Sequence, residues 1–239
     1  MTDIHSHILF SLDDGSYSIK ESLELLKKMK SLGYNNIILT PHYIKGSDYN
    51  ANNERKRNNF YLLKEAIKEQ NLNINIYLGN EIFITDNIPE LIEQDEISSL
   101  NHTRYLLIEF PFHNQILNLE DIIYEIKLKG YIPVIAHPER YTYFQDNYDL
   151  VEELKDMDVL FQCNYVSILG YYGKSAEKLF KYLLKKRYVS FLGSDIHHLD
   201  RAFFIDNYPK IIKHITKVAG KDYFDKIMEN CNNLVSPEK

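Results

Sequence analysis

Short apolar runs alternate with amphipathic stretches along nearly the whole chain, about seven times over. This rhythm constrains the fold more than any other feature, because strands separated by helix-length segments pair in parallel through crossover helices. Residues 36–40, 75–78, 105–108, 132–136, 159–163 and 189–193 read as buried strands, and residues 3–5 end another. Ser18-Ile19-Lys20-Glu21 has capping-box spacing, and Leu23, Leu25, Leu26, Met29 and Leu32 follow at helical intervals up to Gly33. Residues 119–129, 150–157, 174–186 and 209–229 are expected to be helical, and a polar stretch at 46–59 leads into a helix at 60–70. No repeat of fixed period and no linker interrupts the series. The expectation is one α/β domain spanning residues 1–239, barrel-like.

The position of the polar residues sharpens this reading. His5 and His7, His42, Glu81, Glu109, His137, and Asp195 with His197 each fall at or just past the C-terminal end of an expected strand. In a parallel barrel those ends share one face, where active sites are assembled. Side chains at i and i+2 of an extended chain point the same way, so His5-Ser6-His7 and Asp195-Ile196-His197 can each grip one ion. His137 precedes a proline and should therefore be extended. Simpler readings stay open at this point. His42 and His137 can be locally bonded strand-end histidines, and Glu81 and Glu109 can be ion-pair partners. Either of Asp13 and Asp14 can bind metal or only form a turn with Gly15. Arg140 can take phosphate oxygens in bidentate fashion or pair with Glu139, and Arg201 and Arg104 are weaker candidates of the same kind.

Bulk properties exclude several classes. With 239 residues, 44% hydrophobic, the chain needs no disulfide staples. Its two distant cysteines, Cys163 and Cys231, suit a reducing compartment. A net charge of −6 argues against nucleic acid as partner. It leaves a phosphorylated substrate open, since bound cations reverse the local sign. The first residues have no leader character and no apolar run approaches a span of about 20 residues, so a cytoplasmic protein without direct membrane insertion is expected. Neither cysteine is followed by the arginine that a cysteine-based phosphatase needs. The stretch 170–175 lacks the first glycine of a phosphate loop, and no His-Glu-x-x-His or nucleophile elbow occurs. Arg55-Lys56-Arg57 reads as a solvated helix face.

Taken in order, the motifs resemble the polymerase-and-histidinol-phosphatase (PHP) superfamily, and more closely its manganese-dependent bacterial protein-tyrosine phosphatases of the CpsB/CapC type. The residues carrying the resemblance are Asp3-Ile4-His5-Ser6-His7 with Asp13-Asp14-Gly15, Thr40-Pro41-His42, Gly79-Asn80-Glu81, Leu107-Ile108-Glu109-Phe110, Ala136-His137-Pro138-Glu139-Arg140-Tyr141 and Gly193-Ser194-Asp195-Ile196-His197. The resemblance implies a distorted (β/α)7 TIM-like barrel with three divalent ions at its mouth. His5, His7, Glu81 and Asp195 would hold the first, Glu81 bridging to a second with Glu109 and His137, and Asp14, His42 and His197 would hold the third. Arg140 would clamp phosphate. Arg201 stands one position off the arginine that relatives often carry, and Asn164 stands where they often carry a polar strand-end residue. The implied metal is Mn²⁺, although nitrogen and oxygen ligands also suit Fe²⁺ or Zn²⁺.

Five neutral imidazoles and four carboxylates with three divalent ions leave roughly +2 at the mouth, enough to draw in a phosphate dianion. The expected chemistry is in-line attack by a metal-bridged hydroxide without a phosphoenzyme, with Asp14 one candidate for protonating the leaving oxygen. The expected substrate is phosphotyrosine on a membrane-associated bacterial tyrosine autokinase governing capsule or exopolysaccharide synthesis. Two other readings are a small-molecule phosphomonoesterase, such as a histidinol phosphatase, and a non-catalytic metal-loaded interaction module.

Overall fold

The computed structural model describes residues 1–236; the side chain of Arg201, and with it that candidate phosphate contact, lies outside what is described. The elements in chain order are β1 (Thr2–Asp3), α1 (Ile19–Ser31), β2 (Asn36–Leu39), β3 (His42–Tyr43), α2 (Asn53–Glu69), β4 (Asn75–Leu78), β5 (Glu81–Phe83) and α3 (Ile88–Glu93). Then follow β6 (Tyr105–Glu109), α4 (Leu119–Leu128), β7 (Ile132–Ala136), α5 (Thr142–Asp146), α6 (Asp149–Asp156), β8 (Leu160–Asn164), α7 (Lys174–Lys186), β9 (Val189–Gly193), α8 (Phe203–Ala219) and α9 (Lys221–Asn233).

Every named strand pair is parallel. One sheet runs β1-β2-β4 and the other β3-β5-β6-β7-β8-β9. Two short gaps link them in sequence, at Thr40-Pro41 between β2 and β3 and at Gly79-Asn80 between β4 and β5. A parallel bridge from Ser6 to Ile196 closes the circle, with the Asp195 N–H donating to the His5 carbonyl and the His7 N–H to the Ile196 carbonyl, both at 2.9 Å. Counting each gapped pair as one interrupted strand gives seven, the expected barrel. Ile37, Ile38, Val134, Ile135 and Phe161 are buried strand residues. The outer helices bury single faces, as Leu25, Leu26 and Met29 do in α1. The Ser18 side chain caps α1 as its spacing predicts.

Three differences from the sequence reading have physical causes. Helix α2 starts at Asn53 rather than near residue 60, because Asn52 caps it by accepting from the Arg55 N–H; the polar first turns carry no apolar periodicity to reveal it. Lys56 is fully buried rather than solvated. Its ammonium donates to the Gly79 carbonyl at 3.1 Å and to Asn80 Oδ1, and burial, reinforced by Arg57, pushes its pKa well below the usual lysine value. Asn80 in turn donates to the carbonyls of Pro41 and Ala51 and accepts from the Ser98 N–H, so this cluster fixes the gap immediately before Glu81. Finally, α8 begins at Phe203 and runs through Pro209, and Gly220 separates it from α9. Arg104 precedes β6, at the end of the barrel opposite the strand C-termini. No helix among the described residues is long and apolar enough to cross a membrane.

Lys56→Met should destabilise the protein by about 1–3 kcal/mol, since it strands a buried carbonyl. Chemical denaturation measures this, and unchanged or greater stability would count against the cluster's role.

Candidate metal centre

The strand ends bring the expected residues together at one mouth. His5 Nε2 and His7 Nε2 lie 3.2 Å apart, as their i, i+2 spacing predicts. Glu81 Oε2 stands 3.2 Å from the first and 3.1 Å from the second, and Asp195 Oδ1 stands 3.6 and 3.4 Å from them. His42 and Glu81 are register partners on β3 and β5, so His42 Nδ1 also reaches Glu81 Oε2, at 3.1 Å, and Glu109 Oε2, at 3.5 Å. His137 Nε2 is 2.8 Å from Glu81 Oε1 and 3.9 Å from Glu109 Oε1. On the outer side, Asp14 Oδ1 stands 3.6 Å from Nε2 of both His42 and His197.

Three donor groups emerge: His5, His7 and Glu81; His42, Glu81 and Glu109; and His7, Asp14, His42 and His197. These groups differ from the sets implied by resemblance: Asp195 stands outside the first, His42 takes the place of His137 in the second, and His7 joins the third. His42 and His7 each border two groups, so the centre is more tightly shared than separate triads suggest. Arg140 is seated as well, with Nη1 3.0 Å from Asp195 Oδ2 and the guanidinium 4.3 Å over Tyr172 and 4.6 Å over Phe112. It does not pair with Glu139, which is buried and accepts from the Asn164 N–H and the Ser167 hydroxyl.

Local backbone features make this convergence possible. His137 is left-handed (φ 33°) rather than extended, and Asp195 is too (φ 51°). Such non-glycine conformations cost about 1 kcal/mol or more and persist where surrounding contacts over-determine them. A Cβ on Gly15 would fall 2.1 Å from the His7 carbonyl oxygen, and one on Gly193 2.6 Å from His5 Cβ, so only glycine fits at either position.

Sequence reasoning missed the groups that orient the imidazoles. Asp13, left undecided between turn and ligand, accepts from His7 Nδ1 at 2.7 Å and from the His42 N–H at 2.8 Å. Burial alone would raise its pKa, but His7 outweighs this and holds it down at about 2. Gln162 Oε1 lies 2.7 Å from His5 Nδ1. Its amide donates to Asn164 Oδ1 at 2.9 Å, and Asn164 Nδ2 donates to Asp195 Oδ2 at 2.6 Å. One signal was available: in the strand 160–164, Gln162 and Asn164 alternate with Phe161 and Cys163, which puts two amides on one buried face.

The charge balance is unusual for a buried cluster. Glu109 is pushed up to about 9, first by burial and then by the neighbouring Glu81 carboxylate. Burial penalises Glu81 and Asp195 as well, yet His5 and the other basic neighbours hold both below the usual carboxylate range. His137 and His197 are lowered to about 4, each chiefly by burial, reinforced by Arg140 and by His7 respectively. Burial lowers His5 and His7, but the carboxylates of Glu81 and Asp195 around His5 and of Asp13 beside His7 outweigh it and raise both, so these imidazoles carry the compensating charge unless other cations replace their protons.

Comparison with known proteins identifies the family. The family described as capsular polysaccharide synthesis, CpsB/CapC, matches residues 1–236. The chain is 38% identical to the putative tyrosine-protein phosphatase CapC of Staphylococcus aureus, over 98% of this chain and 89% of that one. It is also 38% identical to the tyrosine-protein phosphatase CpsB of Streptococcus pneumoniae, over 84% of each. A solved structure from a study of YwqE of Bacillus subtilis and CpsB of Streptococcus pneumoniae, described as unique metal-dependent tyrosine phosphatases, superposes with a TM-score of 0.92 at 30% identity, covering 98% of this chain and 94% of that one. The chain belongs to the CpsB/CapC family and is an enzyme of that family.

Proposed function

We propose that this enzyme is a metal-dependent phosphatase that hydrolyses phosphotyrosine on a bacterial tyrosine autokinase at the cytoplasmic side of a membrane, and so acts in capsule or exopolysaccharide synthesis. Residues 1–239 work as one PHP-type domain in this reading. The observation that carries it is the chain of hydrogen bonds behind His5 and His7. The ionised Asp195 can only accept, so Asn164 presents its NH₂ to it and its carbonyl to Gln162; Gln162 then presents its own carbonyl to His5. His5 must therefore carry its proton on Nδ1. His7 does the same toward Asp13.

Each Nε2 then faces the other, Asp195 Oδ1 and a Glu81 Oε2 that has no hydrogen-bond partner among the described residues, and is free to hold either a second proton or a metal ion. Two imidazole nitrogens and two carboxylate oxygens pointing inward at 3.1–3.6 Å need positive charge among them, which protons on the imidazoles supply at low pH and a divalent ion supplies in their place. Donors about 2.1 Å from one ion stand about 3.0 to 3.4 Å apart in octahedral or tetrahedral arrangements, so the spacing fits. His5, His7, Glu81 and Asp195 would hold one ion, Glu81, Glu109 and His137 a second, and Asp14, His42 and His197 a third, with Mn²⁺ the preferred metal by family resemblance. Such ions supply neutralising charge and lower the pKa of water near the phosphate.

The rest is done by the chain. Arg140, held rigid between two rings and kept protonated by Asp195, has N–H groups to spare for equatorial phosphate oxygens. Asp14, about half exposed at the rim, reaches toward His42 and His197 and stands open to solvent beside the phosphate site. The tyrosyl oxygen leaves readily because its conjugate acid has a pKa of about 10.

Elemental analysis should find divalent metal in the purified protein, and chelation should abolish phosphotyrosine-peptide turnover, with recovery on adding Mn²⁺; turnover that survives full metal removal would refute the reading. His5→Ala or Asp195→Ala should abolish activity in a protein that keeps its circular-dichroism spectrum. Arg140→Ala should lower kcat/KM about 100-fold or more; parental kinetics would remove its clamp role. Asp13→Asn should weaken metal binding about 10–100-fold in a chelator competition. Since protons compete for the same lone pairs, affinity in that assay should fall as the pH is lowered.

A further inference from the structure

The mouth of the barrel holds a cavity of about 250 Å³ with two unlike sides. One side presents the donors Asp14, His42, Glu109 and His197. The other is an aromatic strip. From the Arg140 guanidinium the strip continues through Tyr172, whose ring the cation covers at 4.3 Å, to Tyr171, set edge-on to Tyr172 at 5.0 Å and 84°. Phe203, at the start of α8, closes it with a ring 4.9 Å from Tyr171. Tyr171 is 44% exposed, whereas the strip's inner neighbour Phe204 is buried. An exposed ring braced by a second ring beside a polar floor is an apolar surface left open among the described residues.

We propose that Tyr171 and Phe203 form the wall on which the ring of an aryl phosphate rests, so that this enzyme prefers aryl over alkyl phosphate monoesters through its leaving group. The inference rests on the phosphatase reading above and names which part of the substrate these residues recognise. A phosphate held by the polar floor and Arg140 leaves its ester oxygen directed at one wall or the other. Among the described residues lining the cavity, Tyr171 is the ring that stands exposed, and Phe112 is already covered by the Arg140 guanidinium, while the rim of carboxylate and imidazole would desolvate against a ring at a loss. Offset or edge-on contact between rings is favourable, and an alkyl chain gains less from the same surface. Neither side chain reaches the reacting atoms; they position and select.

The test compares kcat/KM for phenyl phosphate and ethyl phosphate in the metal-loaded full chain, with metal content and Tm recorded for each protein. Tyr171→Ala and Phe203→Leu should each lower the aryl-to-alkyl ratio about 3- to 10-fold, mainly through KM. Tyr171→Phe, which restores the ring without its hydroxyl, should recover the preference lost in Tyr171→Ala. Because Tyr171 is exposed, its truncation opens no core cavity, so the outcome is decided even if Phe203→Leu proves unstable. A parental ratio in Tyr171→Ala, with parental metal content and Tm, overturns the wall while leaving the phosphatase reading intact. A parent protein that hydrolyses neither ester when fully metallated overturns that reading, and the wall with it.

Discussion

The structure depends on one kind of hydrogen bond: the donation by an imidazole Nδ1–H that commits the opposite nitrogen to the centre of the barrel mouth. His5 is committed by Gln162 and His7 by Asp13. Each acceptor is itself fixed, Gln162 through Asn164 by Asp195, and Asp13 by the His42 and Gly15 N–H groups. The chain from Asp195 back to His5 links two residues whose side chains also face each other at 3.6 Å, so the orientation of each specifies the other. Freed from it, His5 could present an N–H to the centre, and the cluster would become an ordinary buried ion-pair network.

Much of the local backbone serves this arrangement. Two glycines admit the close approach of the His5 and His7 segments, and two non-glycine residues accept left-handed conformations to turn their side chains inward. Lys56 shows the same principle from outside the barrel. A long buried amine ties the Gly79–Asn80 gap, and Glu81 follows in register with His42. The energetic burden of burying several carboxylates is then offset by whatever positive charge enters, which reconciles an acidic chain with an anionic substrate. Arg140 adds a permanent charge at the mouth, wedged between the rings of Phe112 and Tyr172.

The barrel and the donor residues were legible because both follow from position along strands. Alternating apolar runs announce parallel pairing, and metal-competent residues at run ends announce one shared face. What was hidden falls into two groups. The first turns of α2 are polar because they are held by the Asn52 cap and by Lys56 bonding inward, so hydrophobic period gives no sign of them. The orienting residues Asp13, Gln162 and Asn164 look like turn and strand residues in the sequence, since their role depends on His7, His5 and Asp195, which lie 6, 157 and 31 positions away respectively. His137 defied the expectation of an extended residue before proline because its side chain must reach Glu81 from the last position of β7's run.

The central claim is that the Nε2 lone pairs of His5 and His7 converge on a common cation. Nuclear magnetic resonance of cadmium-loaded protein with isotopically labelled histidine addresses it most directly. Both residues should carry their proton on Nδ1 and show scalar coupling from Nε2 to the bound metal. Protons on Nε2, or couplings absent from both rings in fully loaded protein, would contradict the account.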